Sequence, residues 1–123
     1  MFSLPPGQPY PLVTIVTATY NSEKTIRDTL SSVATQDYPR LEHVIVDGLS
    51  TDNTLAIVRE FPHVSRVISE KDKGIYDAMN KGINSSSGDI IGLLNSDDFY
   101  VSIDVISKVV EKMISANSDT LYA

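Results

Sequence analysis

Short runs of aliphatic and β-branched residues alternate with stretches of helical apolar spacing from residue 12 to residue 123. This alternation is the tightest constraint on the fold. A strand followed by a helix and another strand forces a crossover, so neighbouring strands run parallel and the helices must lie on the sheet faces. Such a sheet is buried on both sides, and its strands read as near-continuous apolar runs instead of alternating ones. The predicted architecture is therefore α/β, a mostly parallel sheet sandwiched by helices in three layers.

The elements follow in order. Leu12–Thr19 is the first strand, after which Asn21 or Ser22 offers an N-cap to a helix with Ile26, Leu30, Val33 and Ala34 on one stripe. Tyr38-Pro39 closes that helix, and Leu41–Val46 forms the second strand. Ser50 or Thr51 is expected to cap a helix reaching about Glu60, with Asp52 in its first turn. Phe61-Pro62 breaks it before a third strand, Val64–Ser69. Ile75, Ala78, Met79, Gly82 and Ile83 share a helical face, with Met79 and Ile83 expected in the core. Ser85–Gly88 is a turn, Asp89–Leu94 the fourth strand, and Ile106, Val109, Val110, Met113 and Ile114 mark a fourth helix. Asp119–Ala123 opens a fifth strand, so the sheet reads as truncated after the fourth helix. Residues 1–11 carry four prolines and read as an extended lead-in, while residues 12–123 make one domain.

Composition removes several classes of function. The net charge of −6 and the dispersed Lys and Arg residues speak against a nucleic-acid partner. An acidic chain still binds a nucleotide when a metal ion bridges the two. With no cysteine there is no disulfide, thiolate nucleophile or thiolate zinc site. His43 and His63 are expected to be structural and without partners. The lead-in lacks the basic start and apolar core of a signal peptide. No apolar run approaches the roughly 20 residues of a membrane span. The expected location is cytoplasmic, with membrane association open for a longer parent protein.

Ligands of such sheets bind outside the carboxyl ends of the strands. All four predicted ends are polar: Thr17–Asn21, Asp47–Asp52, Glu70–Gly74 and Asn95–Asp98. The last is the most informative, because Asp97 and Asp98 stand side by side where a buried strand stops. Hard cations such as Mg²⁺ or Mn²⁺ take one or two carboxylates together with substrate phosphates, which points to a metal–diphosphate site. The same acids would equally cap a following helix. Neither Gly-x-Gly-x-x-Gly nor Gly-x-x-x-x-Gly-Lys-Ser/Thr follows the first strand, so a glycine-rich phosphate loop is not the holder.

Four segments, in order, resemble the inverting, family 2 nucleotide-sugar glycosyltransferases of GT-A fold. They are Val16–Asn21, Val44–Thr54, Glu70–Gly82 and Gly88–Asp98, and the resemblance covers residues 12–123. It implies that Thr17, Thr19, Tyr20, Asn21 and Asp47 surround the nucleoside, with Asp47 near the base. Asp72 and Lys73 would line the same pocket, with Asn80 supporting it from the next helix. Ser96 and Asp97 would reach the nucleotide sugar, and Asp97 and Asp98 would hold Mn²⁺ or Mg²⁺. The implied donor is a nucleoside diphosphate sugar, UDP in the first instance. The implied acceptor is a saccharide, glycolipid or protein, as in polysaccharide biosynthesis for the cell envelope.

Two departures qualify the resemblance. Asn95 stands where many members carry an Asp, and it offers a carbonyl without charge. Members are also about twice as long or more, and none of the acids here matches their general base. The chain reads as a donor half that is inactive alone, with the base beyond Ala123. Two other readings stay open: a non-catalytic interaction module of the same fold, and a receiver domain with Asp47 as phospho-acceptor. An unfinished sheet edge also invites a homo-oligomer.

Overall fold

The computed structural model describes residues 10–116. Most of the expected lead-in and the expected strand at Asp119–Ala123 lie outside the described residues. Among the described residues four strands and four helices alternate: β1 (Val13–Thr19), α1 (Ile26–Ala34), β2 (Leu41–Asp47), α2 (Thr54–Val58), β3 (Val64–Ser69), α3 (Ile75–Asn84), β4 (Ile90–Leu93) and α4 (Val105–Ala116). All pairings are parallel, in the order β3-β2-β1-β4.

Alternation along the strands assigns the layers. Val13 and Ile15 of β1 pack with Val33 of α1 and with Ile106 and Val110 of α4. Ile45 of β2 joins Ile26 and Leu30 of α1 and Val58 of α2 on the same face. The opposite residues, Val16, Val44 and Val46, meet Ala78 and Met79 of α3. Three helices thus cover one face and α3 covers the other, which is the predicted three-layer arrangement.

That lone helix packs closely. A Cβ on Gly82 would stand 2.2 Å from Val16 Cγ1, so glycine lets the helix backbone approach the sheet. The contact line is narrow: Met79 is buried as expected, but Ile83 and Ile75 are 37% and 51% exposed. The shared helical face is wider than the strip of sheet beneath it.

Helix starts also differ from expectation. No side chain caps α1; the Ser22 carbonyl accepts the Thr25 and Ile26 amides instead. Asn53 holds the N-cap position of α2, where neither Ser50 nor Thr51 serves. The neighbouring Asp52 carboxylate accepts the Thr54 amide at 2.9 Å and the Thr54 hydroxyl at 2.5 Å. Burial pulls the Asp52 carboxyl up, but these bonds and the Glu23 amide outweigh it and leave it below the usual range. Helix α2 stops at Val58, short of Glu60, because the Glu60 and Phe61 amides tighten to carbonyls three residues back before Pro62.

The two histidines find each other, contrary to expectation. His43 Nδ1 lies 3.0 Å from His63 Nε2, and His43 Nε2 lies 2.9 Å from Thr17 Oγ1. His63 Nδ1 is buried without a partner. A bare lone pair is tolerated better there than a bare N–H, so we assign His63 the Nε2–H tautomer, donating to His43. His43 then donates from Nε2 to Thr17. Burial first, and His63 second, push His43 down to about 3; burial lowers His63 as well.

Candidate functional site

The strand order reverses beside β1: the chain steps outward to β2 and β3, then returns to place β4 on the other side. Carboxyl ends at such a reversal leave a crevice between diverging loops. Here that crevice is a cleft of about 340 Å³. Ala18, Thr19, Tyr20 and Ser22 line it from the end of β1, and Ser96 from the segment after β4. Asp72, Gly74, Ile75 and Ala78 close it from the third loop and the start of α3.

Thr19 is almost fully buried, yet its hydroxyl has no hydrogen-bond partner within the described residues. A buried hydroxyl without a partner costs free energy, so a cleft-lining one is a natural contact for a ligand. Tyr20 is 61% exposed, which leaves ring surface open to a planar group. Asn21 takes a left-handed backbone at φ 48°, a conformation that asparagine tolerates better than most residues. Its amide donates to Ser50 Oγ at 2.9 Å and its Oδ1 accepts from the Thr51 amide at 2.8 Å, stitching the first loop to the second.

The second loop, Asp47–Asp52, contributes no lining residue. Asp47 is fully buried and accepts the Ser50 amide at 2.9 Å, the Ser50 hydroxyl at 2.5 Å and the Ser69 hydroxyl at 3.0 Å. A Cβ on Gly48 would stand 2.7 Å from Asp72 Oδ2, so this glycine lets the third loop close down. There Asp72 Oδ1 accepts the Gly74 amide at 3.0 Å, with Gly74 at φ 119° where a side chain would be strained. The Lys73 amide donates to Asp77 at 2.9 Å. That bond holds the Asp77 carboxyl low, opposed by partial burial and assisted by Lys81. Lys81 also bonds the Lys71 carbonyl at 2.8 Å and pairs with Glu70 at 3.3 Å, tying the loop to α3.

After β4, Asn95, Asp97 and Asp98 are exposed, and the Asp98 amide closes a turn on the Asn95 carbonyl at 3.0 Å. Ser96 Oγ meets Ser22 Oγ at 2.8 Å. Among the described residues neither the Asp97 nor the Asp98 carboxylate has a hydrogen-bond or ion-pair partner, and neither caps a helix. No group of three or more His, Cys, Asp or Glu side chains gathers among the described residues. Two free carboxylates nevertheless suit Mg²⁺ or Mn²⁺, which fill their remaining positions with phosphate oxygens and water.

Of the residues expected at the site, Thr19, Tyr20, Asp72 and Ser96 line the cleft, and Asp97 and Asp98 follow directly. Thr17, Asn21 and Asp47 do not line it and are bonded to protein groups. Lys73 and Asn80 are exposed and do not line it. Sequence reasoning missed Ser22, Thr25 and Thr29, whose hydroxyls reach the segment after β4. Ser22 and Thr25 precede α1, so no helical periodicity marks the three together.

The model of the glycosyl transferase family 2 matches residues 14–123. An uncharacterized glycosyltransferase of Mycobacterium tuberculosis is 37% identical over 105 residues, which cover 84% of this chain and 40% of that protein. The crystal structure of S. aureus TarS 1-349 in complex with UDP-GlcNAc superposes with a TM-score of 0.80 at 28% identity, over 86% of this chain and 32% of that one. The mannosyltransferase PcManGT from Pyrobaculum calidifontis, in complex with GDP-Man and Mn²⁺, superposes with a TM-score of 0.79 at 29% identity, over 92% and 35%. The chain thus spans about two-fifths of the length of the first curated relatives it matches. Among the described residues no helix is long and apolar enough to cross a membrane.

Proposed function

The chain belongs to glycosyl transferase family 2, and from that premise we propose that its cleft holds a nucleoside diphosphate sugar for transfer to an acceptor hydroxyl. Residues 12–123 form the donor-binding part of a longer catalytic domain. One observation carries this reading: at the strand reversal, the cleft is lined by Thr19, whose buried hydroxyl has no partner among the described residues, and by Ser96, which the exposed Asp97 and Asp98 directly follow. A divalent ion on these acids would neutralise charge on the departing diphosphate.

The chain's own residues divide the remaining work. Tyr20 offers its ring to the base, and Thr19, Asp72 and Ser96 supply hydrogen bonds along the cleft. Asp47 already accepts three hydrogen bonds of the roughly four a carboxylate can take, and it offers the base the remaining acceptor position on Oδ1. Transfer proceeds with inversion, which requires a carboxylate to take the acceptor's proton as it attacks. We place that base outside residues 14–123, in the greater part of the length that the relatives do not share with this chain.

Calorimetry with UDP, with and without MnCl₂, tests the reading. The expected result is binding strengthened by Mn²⁺, with that gain lost in Asp97→Asn/Asp98→Asn. Both acids are exposed, so the melting temperature without ligand should not move. Absence of binding to UDP or GDP with either Mn²⁺ or Mg²⁺ would overturn the proposal and leave a non-catalytic module of the same fold.

A further inference from the structure

Thr29 lies on the apolar face of α1, fully buried beside Ile26, Leu30 and Val33. Threonine is a poor helix former, and valine has nearly its shape without a hydroxyl to satisfy. The hydroxyl therefore needs a reason, and its contacts supply one. Thr29 Oγ1 lies 2.5 Å from the Asp98 carbonyl and 3.0 Å from the Ser96 carbonyl. Thr25 Oγ1 lies 2.8 Å from the same Ser96 carbonyl. Each hydroxyl has one proton to donate. The shortest consistent assignment gives Asp98 to Thr29 and Ser96 to Thr25.

The backbone is then pinned on both sides of Asp97. We propose that Thr29, assisted by Thr25, is a positioning residue: it holds the Ser96–Asp98 backbone so that the two carboxylates meet a metal–diphosphate without first being ordered. The inference rests on the donor-binding reading above. Pre-ordering matters because a loop that must be immobilised on binding subtracts that entropy from affinity.

The test compares wild type, Thr29→Val, Thr29→Ser and Thr25→Val by calorimetry with UDP, with and without MnCl₂. Thr29→Val should reduce the Mn²⁺-dependent gain in UDP affinity about three- to ten-fold, the range expected for one lost hydrogen bond. Affinity without metal should stay unchanged, and Thr29→Ser, which keeps the hydroxyl, should restore the gain. If Thr29→Val does not fold, Thr25→Val, altered at a half-buried position, must show the same selective loss. A wild-type chain with no Mn²⁺-dependent UDP binding would fell the donor-site reading itself. Wild-type binding with undiminished gain in the variants, or an equal loss with and without metal, would overturn the positioning role alone.

Discussion

Mild acid should destabilise this protein through its histidine pair. Unfolded, His43 takes a proton near pH 6.5; folded, burial holds it neutral down to about 3. Between these values the unfolded chain binds more protons than the folded one, so stability must fall as pH falls. The loss begins near 6.5 and is complete only below the folded value. At pH 5, 1.5 units below the unfolded pKa, His43 alone accounts for about 2 kcal/mol, at about 1.4 kcal/mol per unit. His63, also lowered, adds to the same trend. Urea titrations at pH 7 and pH 5 measure the difference, and His43→Leu should flatten it. Because the chain has two histidines, imidazole NMR can follow each directly. A His43 resonance titrating near 6.5, or equal stability at both pH values, would refute the burial argument.

Two further perturbations probe the backbone. Gly82→Ala places a methyl against the stiff Val16 side chain; overpacking should outweigh the gain in helix propensity and lower unfolding free energy by about 1–2 kcal/mol in a urea titration. Leu49 sits in the left-handed region at φ 65° with half its surface exposed, so Leu49→Asn should relieve strain and raise stability by about 1 kcal/mol, seen as a higher melting temperature.

The layers and all four strands were legible because their signal is local: β-branched runs such as Val44–Val46 and stripes such as Ile26, Leu30 and Val33 announce themselves within one element. The cleft was legible in part, since polar residues at strand ends converge once the strands are parallel. What escaped depends on partners distant in sequence. That the Ser69 hydroxyl reaches the Asp47 carboxylate is one case, set by the pairing of β2 with β3. The histidines looked solitary because nothing in the sequence says that β2 and the turn before β3 bring them together. Nothing in the sequence singles out Thr29, and only the position of the segment after β4 gives its hydroxyl a purpose.

The strand order also bears on when the site comes into being. β1 pairs on one side with β2, close behind it in sequence, and on the other with β4, which arrives only after α2, β3 and α3. Contacts between distant segments require the largest loop closure and form late. The cleft needs both flanks of that last pairing, Thr19 to Ser22 on one side and Ser96 on the other. β4 is four residues long and has a strand on one edge only among the described residues, which makes it the natural first segment to detach. Loss of the cleft should then precede global unfolding, and occupancy should slow amide exchange in β4 more than in β2 or β3.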